Sequence, residues 1–148
     1  MIDQIDLFAA AGAAEAAAGN FDVEAIPTSG SIPIPPGIYS DLDTLTRHCN
    51  NCQRCGLAAG RTNVVVSRGN PQAPIMIVGE GPGQQEDEQG LPFVGKSGQL
   101  LEKILAAVRL DTEQDVYICN VVKCRPPNNR TPVADETAAC KGYLLEQI

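Results

Sequence analysis

The chain has 148 residues and a formal net charge of −7 at neutral pH, with six cysteines and one histidine. This length fits one domain with its own hydrophobic core. Residues 49–148 hold eleven acidic and ten basic residues, a net charge of −1, so charge neither favours nor excludes a nucleic-acid partner. No apolar run approaches the roughly 18 residues of a membrane span, and we expect a cytoplasmic protein without a signal peptide.

Residues 1–40 are predicted to be a flexible tail and linker, because alanine dominates the first half and proline and glycine interrupt the second. Near the start, Gln4, Leu7 and Phe8 belong to a short motif that is similar to the pentapeptide by which many bacterial repair proteins dock on the DNA sliding clamp. The alternative interpretation is the first turn of an ordinary amphipathic helix. The globular domain is predicted to span residues 41–148.

The domain is predicted to alternate helices and strands. A helix is expected from about residue 41, where Ser40 and Asp43 form an N-terminal capping pattern. Two apolar runs, residues 73–80 and 115–124, predict buried parallel strands. Between them, a helix with Ser97 as its cap is expected to carry one apolar face, formed by Leu100, Leu101, Ile104, Leu105 and Val108. A last helix is expected from Thr131 and Pro132. This order predicts a right-handed crossover and an α/β fold.

Residues 90–98, GLPFVGKSG, contain the glycine, lysine and serine spacing of a phosphate-binding loop. Such a loop follows its strand directly, whereas the predicted strand ends near Gly79, about ten residues earlier. Pro92 offers no amide donor, and Phe93 places a ring where the phosphates would lie. The intervening segment is also acidic. The sequence therefore predicts that this match is not an ATP site.

The cysteine spacing predicts a metal centre. Four cysteines, including one Cys-x-x-Cys pair, suit a common thiolate shell: Cys52, Cys55, Cys124 and Cys140. Spacing alone leaves zinc, an iron–sulfur cluster and redox chemistry open, and Cys49 is an alternative ligand. Cys119 falls within a predicted strand and is interpreted as a core residue. His48 is interpreted as a solvated residue at a helix end, with a metal contact as the alternative.

Four stretches occur in a specific order: CQRCGLAAGRTNVV, APIMIVGEGPGQQED, LPFVGKSGQLL and VYICNVVKCRPPNNRTP. Together with Cys140, they resemble the type-4 uracil-DNA glycosylases, the iron–sulfur branch of the uracil glycosylase superfamily. The resemblance covers roughly residues 42–148. It implies a three-layer α/β/α fold with a parallel central sheet, and a [4Fe-4S] cluster on the four cysteines. It also implies that a monomer acts on uracil-containing DNA in base-excision repair.

The resemblance implies a pocket that reads a uracil base flipped out of the DNA stack. Phe93 would stack on the base. Asn120 would donate to uracil O4 and accept from N3, a pairing that cytosine does not match. The alternatives are a core position for Phe93 and a strand-end cap for Asn120.

The loop after the first predicted strand would approach the flipped nucleotide. Gly81 and Gly83 would allow close backbone contact with the deoxyribose and its phosphate. Glu80 or the backbone around Gly81 would hold the attacking water. Glu86 would help to exclude the methyl group of thymine.

One part of the family pattern is not matched. A His-Pro loop, whose histidine stabilises the charge that develops on uracil O2, has no counterpart here, and His48 does not align with it. We therefore expect residues 41–148 to be the N-terminal portion of the glycosylase domain, incomplete at its C-terminus and impaired in activity. The alternatives are a catalytically inactive iron–sulfur module that binds DNA, and a zinc-stabilised binding module.

Overall fold

The computed structural model describes residues 28–148. The predicted clamp-binding residues Gln4, Leu7 and Phe8 lie outside this range. The elements, in chain order, are α1 (Leu42–Asn50), β1 (Ser67–Gly69), β2 (Ile75–Gly79), α2 (Gln84–Gln89), α3 (Lys96–Ala107), β3 (Val116–Asn120) and α4 (Ala134–Gln147), with short 3-10 turns at Gly56–Ala59 and Pro127–Asn129.

The sheet has three strands in the order β1-β3-β2. β2 and β3 pair in parallel, from Ile75 opposite Val116 to Gly79 opposite Asn120. This pair confirms the predicted α/β fold with parallel strands. β1 pairs with β3 in the antiparallel direction and was not predicted, because Ser-Arg-Gly carries no apolar pattern and forms a strand only through its partner.

Helices cover both faces of β3, which is buried along its whole length. Val116 and Ile118 point toward α3 and form a small core with Leu105. The alternate residue Tyr117 points the other way, where its hydroxyl bonds with Gln147 of α4. A larger core lies on the α4 side and includes Leu45 of α1. The described residues thus form the three predicted layers.

The predicted apolar face of α3 is only partly covered. Leu105 is buried and Leu101 packs against the same core, but Leu100, Ile104 and Val108 are 59%, 54% and 63% exposed. These three residues belong to the predicted apolar face but not to the core, because no described element packs over that side of α3. None of the helices in residues 28–148 is long and apolar enough to span a membrane.

Residues 28–40 contain no helix or strand, as their prolines predict, yet this stretch of the expected linker packs on the domain. Ile34 and Ile38 are buried in the larger core. The amide of Gly37 donates to Oε1 of Glu146 at 2.6 Å. Close contact with α4 thus begins well before residue 41.

Three helix starts differ from the predicted ones. The N-cap of α1 is Asp41 rather than Ser40, and its Oδ1 accepts from the amide of Thr44 at 2.7 Å. α3 begins at Lys96 behind Gly95, so Ser97 is not its cap. α4 begins at Ala134, two residues beyond Pro132.

Candidate functional site

A cleft of about 320 Å³ opens where the parallel strands β2 and β3 end. The amides of Val121 and Val122 donate to the carbonyls of Gly79 and Glu80, at 2.8 and 3.1 Å, so the two loops leave the sheet side by side. The carboxyl edge of parallel strands is where α/β proteins place ligands. The cleft brings together every predicted site residue other than the cysteines: Glu80, Gly81, Gly83, Glu86, Phe93 and Asn120.

Asn120 lies at the floor of the cleft, at the end of β3, and is only 2% exposed. No described residue donates to its side-chain amide or accepts from it. The side chain lines the cleft, so its amide donor and acceptor are available to a ligand that enters there. The predicted alternative, a strand-end cap, would have bonded this amide to the backbone.

The main chain of Asn120 is fixed by a hydrogen bond from a buried lysine. Nζ of Lys123 donates to the Asn120 carbonyl at 2.7 Å and also to Oε1 of Gln147. Gln147 bonds in turn to the Val66 carbonyl at 3.3 Å. Burial lowers the pKa of Lys123. This network fixes the end of β3 to the last turn of α4.

Gly79 allows the side chains of Asn120 and Phe93 to converge. A Cβ atom at Gly79 would lie 2.7 Å from two ring carbons of Phe93 and would overlap with Oδ1 of Asn120. Real Cβ atoms essentially never approach other atoms so closely. The ring and the amide therefore meet over a position that admits only glycine.

Phe93 adopts a left-handed backbone conformation, with φ of 55°. This region is rare for bulky residues. Nη2 of Arg68 donates to the Phe93 carbonyl at 2.9 Å. On its other side the same carbonyl group abuts Gly98 of α3, where a Cβ atom would overlap with it. The ring is half-buried: it packs against the core beneath α3 and also lines the cleft.

Glu86 organises the loop that carries Phe93. Its Oε1 accepts from the amides of Val94 and Gly95 at 3.0 and 2.7 Å. Its Oε2 lies against Gly83, where a Cβ atom would be 2.9 Å away. The sequence did not suggest this bracing role, and a further role against thymine stays a prediction.

The loop after β2 supplies a close-packed glycine and a free carboxylate. A Cβ atom at Gly81 would lie 2.8 Å from a methyl group of Val122, so the adjacent loops require glycine there. Glu80 is exposed at the cleft, and its side chain has no partner among the described residues. The carboxylate is therefore available to a water molecule or a ligand.

Two cationic side chains that the sequence analysis did not single out, Lys96 and Arg130, also line the cleft. Arg130 forms a two-pronged ion pair with Glu136 of α4, at 2.9 and 2.7 Å. Hydrogen bonding to Arg130 lowers the pKa of Glu136. The pair secures the proline-rich segment after β3 to α4, and Lys96, which forms no ion pair with a described residue, supplies positive charge at the opening.

The predicted metal ligands converge in a second, mostly buried cavity. It is lined by Cys52, Cys55, Cys124 and Cys140, together with Cys49. All six cysteines are free thiols. Cys119 is buried in β3 and does not line this cavity, in agreement with its interpretation as a core residue.

Two kinds of metal centre take cysteine ligands of this type. No three His, Cys, Asp or Glu side chains in the described part of the chain are close enough to hold one metal ion. A tetrahedral zinc site needs sulfurs about 4 Å apart, given Zn–S bonds of about 2.3 Å. The ligands of an iron–sulfur cluster stand farther apart, because each binds a different iron. Thiolates are ligands of both kinds of centre, so the four thiols that line this cavity suit either one by their chemistry.

Two of the cysteine sulfurs accept hydrogen bonds from nearby nitrogen atoms. Nη1 of Arg61 lies 3.6 Å from Sγ of Cys124, and the amide of Lys123 donates to Sγ of Cys140 at 3.3 Å. Burial raises the pKa of Cys124 to about 11 and that of Cys140 to about 12. Metal binding at this site would therefore release protons at neutral pH.

His48 lies apart from both cavities. Its Nδ1 is 2.7 Å from the hydroxyl of Tyr39 and 3.2 Å from that of Tyr143. Burial lowers the pKa of His48. The predicted solvated histidine is in fact half-buried between two tyrosines, and it does not line the cysteine cavity.

Fold and cleft together define an α/β protein with a binding site at the carboxyl edge of its parallel strands. The sequence profile of the Uracil DNA glycosylase superfamily matches residues 66–148. The chain belongs to this superfamily.

Curated relatives agree with the resemblance to the type-4 branch. A Type-4 uracil-DNA glycosylase of Thermotoga maritima is 52% identical over 107 residues, which is 72% of this chain and 55% of that protein. The Archaeoglobus fulgidus protein of the same name is 49% identical over 72% of this chain and 53% of its own length. A Type-5 uracil-DNA glycosylase of Pyrobaculum aerophilum is 30% identical over 77% of this chain and 62% of its own length. The chain spans about half the length of the type-4 relatives.

Proposed function

We propose that this chain recognises uracil flipped out of DNA and serves base-excision repair as a uracil-DNA glycosylase. The observation that carries the proposal is the amide of Asn120, which lines the cleft beside the ring of Phe93 and has no hydrogen-bond partner among the described residues. Membership of the superfamily and the names of the type-4 relatives support it.

Recognition follows from the amide of Asn120. Its NH₂ group donates to uracil O4, and its oxygen accepts from N3–H. Cytosine presents an amino group and an unprotonated N3 at these positions, so both contacts would become repulsive. The half-buried ring of Phe93 offers one face for stacking on the extruded base.

Cleavage adds water to C1′ of the deoxyribose while the C1′–N1 bond breaks. Uracil leaves with the bonding electrons and takes up a proton. The free carboxylate of Glu80 would orient the water, and Gly81 and Gly83 let backbone approach the sugar. Lys96 and Arg130 would contact the flanking phosphates.

For the cofactor we propose a [4Fe-4S] cluster held by Cys52, Cys55, Cys124 and Cys140. Its four iron–thiolate bonds would join the segment after α1, the loop after β3 and α4. The cluster's role is structural, because the cysteine cavity and the cleft share no lining residue.

The cluster is tested by anaerobic purification, with iron and acid-labile sulfide as the readout. We expect about four of each per chain. Cys124→Ser should lose the cluster, whereas Cys119→Ala, the matched control, should retain it. One zinc per chain and no iron would refute the assignment and favour the zinc module.

The function is tested with single-stranded oligonucleotides that carry one deoxyuridine or one deoxycytidine, because the amide of Asn120 is expected to distinguish these two bases. Binding is followed by fluorescence anisotropy, and base release by strand cleavage at the abasic site. We expect Asn120→Ala to lose at least about 100-fold in selective binding and release, because an unmatched polar edge costs several kcal/mol. Asn51→Ala, at the exposed end of α1, is the control.

The outcomes separate the candidate functions. Selective binding without release would favour the inactive DNA-binding module. Equal affinity for both oligonucleotides, unchanged by Asn120→Ala, would refute uracil recognition.

We also propose that the tail recruits the protein to the DNA sliding clamp through Gln4, Leu7 and Phe8, and that it acts in the cytoplasm as a monomer. The support is the sequence motif alone. Replacing Leu7 and Phe8 by alanine should abolish binding to the clamp in a surface-plasmon-resonance assay. Unchanged binding would refute the role of the tail.

A further inference from the structure

The conformation of Phe93 requires support from its surroundings. With φ of 55°, the residue lies in a region that bulky side chains rarely occupy. Strain of this kind persists only where neighbouring groups fix the backbone, and it is concentrated at functional sites. The groups that fix Phe93 are therefore candidates for a role at the cleft.

Two groups hold the Phe93 carbonyl from different elements. Nη2 of Arg68, on β1, donates to it at 2.9 Å. Gly98, on α3, leaves room for it where any Cβ atom would overlap. Gly98 is passive, since it only permits the conformation, whereas Arg68 supplies an attractive contact from a side chain that is 12% exposed.

The other contacts of Arg68 show how a role in holding Phe93 can be separated from a role in joining β1 to α3. Its Nη2 also pairs with Glu102 of α3 at 3.0 Å, and Nη1 lies 3.8 Å from Glu113. Its Nε is buried and, within residues 28–148, has no partner. A guanidinium that served only to join β1 to α3 would depend on Glu102, and the loss of Glu102 would then equal the loss of Arg68.

We propose that Arg68 is a positioning residue for uracil recognition, which acts by holding Phe93 in the left-handed conformation that turns its ring to the cleft. The inference rests on the proposed function for the consequence in binding. The contact between Arg68 and Phe93 itself does not depend on it.

The test uses the full chain labelled with 4-fluorophenylalanine. The sequence contains three phenylalanines, so three fluorine resonances arise, and Phe93→Leu identifies the line of Phe93. Arg68→Ala should shift and broaden this line, and should weaken binding of deoxyuridine oligonucleotides about 10- to 100-fold, the range for loss of a charged hydrogen bond. Glu102→Ala should leave the line and the affinity near those of the wild type.

Arg68→Lys keeps a cationic donor, so its Phe93 line and its affinity should lie closer to those of the wild type than the values of Arg68→Ala do. This second variant keeps the proposal testable if Arg68→Ala does not fold. An unchanged Phe93 line in both Arg68 variants would overturn the proposal, as would equal effects of Arg68→Ala and Glu102→Ala. If the wild type fails to bind deoxyuridine oligonucleotides, the proposed function is refuted. The fluorine line then still decides whether Arg68 holds Phe93.

Discussion

Replacing Gly79 by alanine should damage the cleft far more than the fold. The new methyl group would lie 2.7 Å from the Phe93 ring, which must retreat by about 0.7 Å to reach ordinary contact at 3.4 Å, and Asn120 must move as well. Displacement of recognition groups by about 1 Å can cost 10²-fold. We expect affinity for deoxyuridine oligonucleotides to fall about 100-fold. Overpacking should lower the free energy of unfolding by about 1–3 kcal/mol.

The measurements are fluorescence anisotropy for binding and urea denaturation for stability. Gly60→Ala is the matched control, because nothing lies within 4 Å of the added Cβ atom and its φ is −105°. A folded Gly79→Ala protein that binds within threefold of the wild type would refute the reasoning, since it would show that the two side chains need not meet at this point.

Three further outcomes are expected. Glu86→Ala should lower the free energy of unfolding by about 1–3 kcal/mol, because two loop amides lose their acceptor. Glu86→Gln keeps an acceptor oxygen and should retain most of the wild-type stability. Equal losses of stability in the two variants would contradict the bracing role. The contact between Glu136 and Arg130 should stabilise the fold above pH 4.5, the ordinary pKa of Glu136, and fade as pH falls below it. A melting temperature of Glu136→Gln that lags the wild type equally at pH 3 and pH 7 would oppose this. Gly98→Ala should destabilise the protein by about 1–3 kcal/mol despite the better helix propensity of alanine, through overlap with Phe93, and a raised melting temperature would contradict the contact.

The sequence predicted those parts of the fold that depend on local apolar patterns. The runs that became β2 and β3 and the amphipathic segment that became α3 were visible in this way. β1 was not, because Arg68 and its neighbours adopt strand geometry only through pairing with β3. The exposure of Ile104 could not be read either, since a periodic apolar face does not tell which elements will cover it.

Three glycines give residues 90–98 the pattern of a phosphate-binding loop, and each is required by a different structural constraint. Gly90 ends α2 in a left-handed conformation, with φ of 75°. Gly95 lies against the carboxylate of Glu86, and Gly98 lies against the backbone of Phe93. A letter pattern does not distinguish these causes from a phosphate cradle, because each depends on contacts formed in three dimensions.

Within the candidate site, sequence reasoning placed Asn120 and Phe93 together through the family resemblance and the rule that ligands bind at the carboxyl ends of strands. It could not predict Arg68 or the loop contacts of Glu86. Arg68 precedes its partner by 25 residues, and no spacing rule connects them.

The buried side chain of Lys123 connects the last turn of α4 to the floor of the cleft. It bonds to the carbonyl of Asn120 on one side and to Gln147 on the other. Gln147 is held in turn by the Val66 carbonyl and the Tyr117 hydroxyl. Any displacement of α4 would therefore pass through Lys123 to the main chain of Asn120, so the shape of the cleft floor depends on how firmly this helix is docked against the sheet.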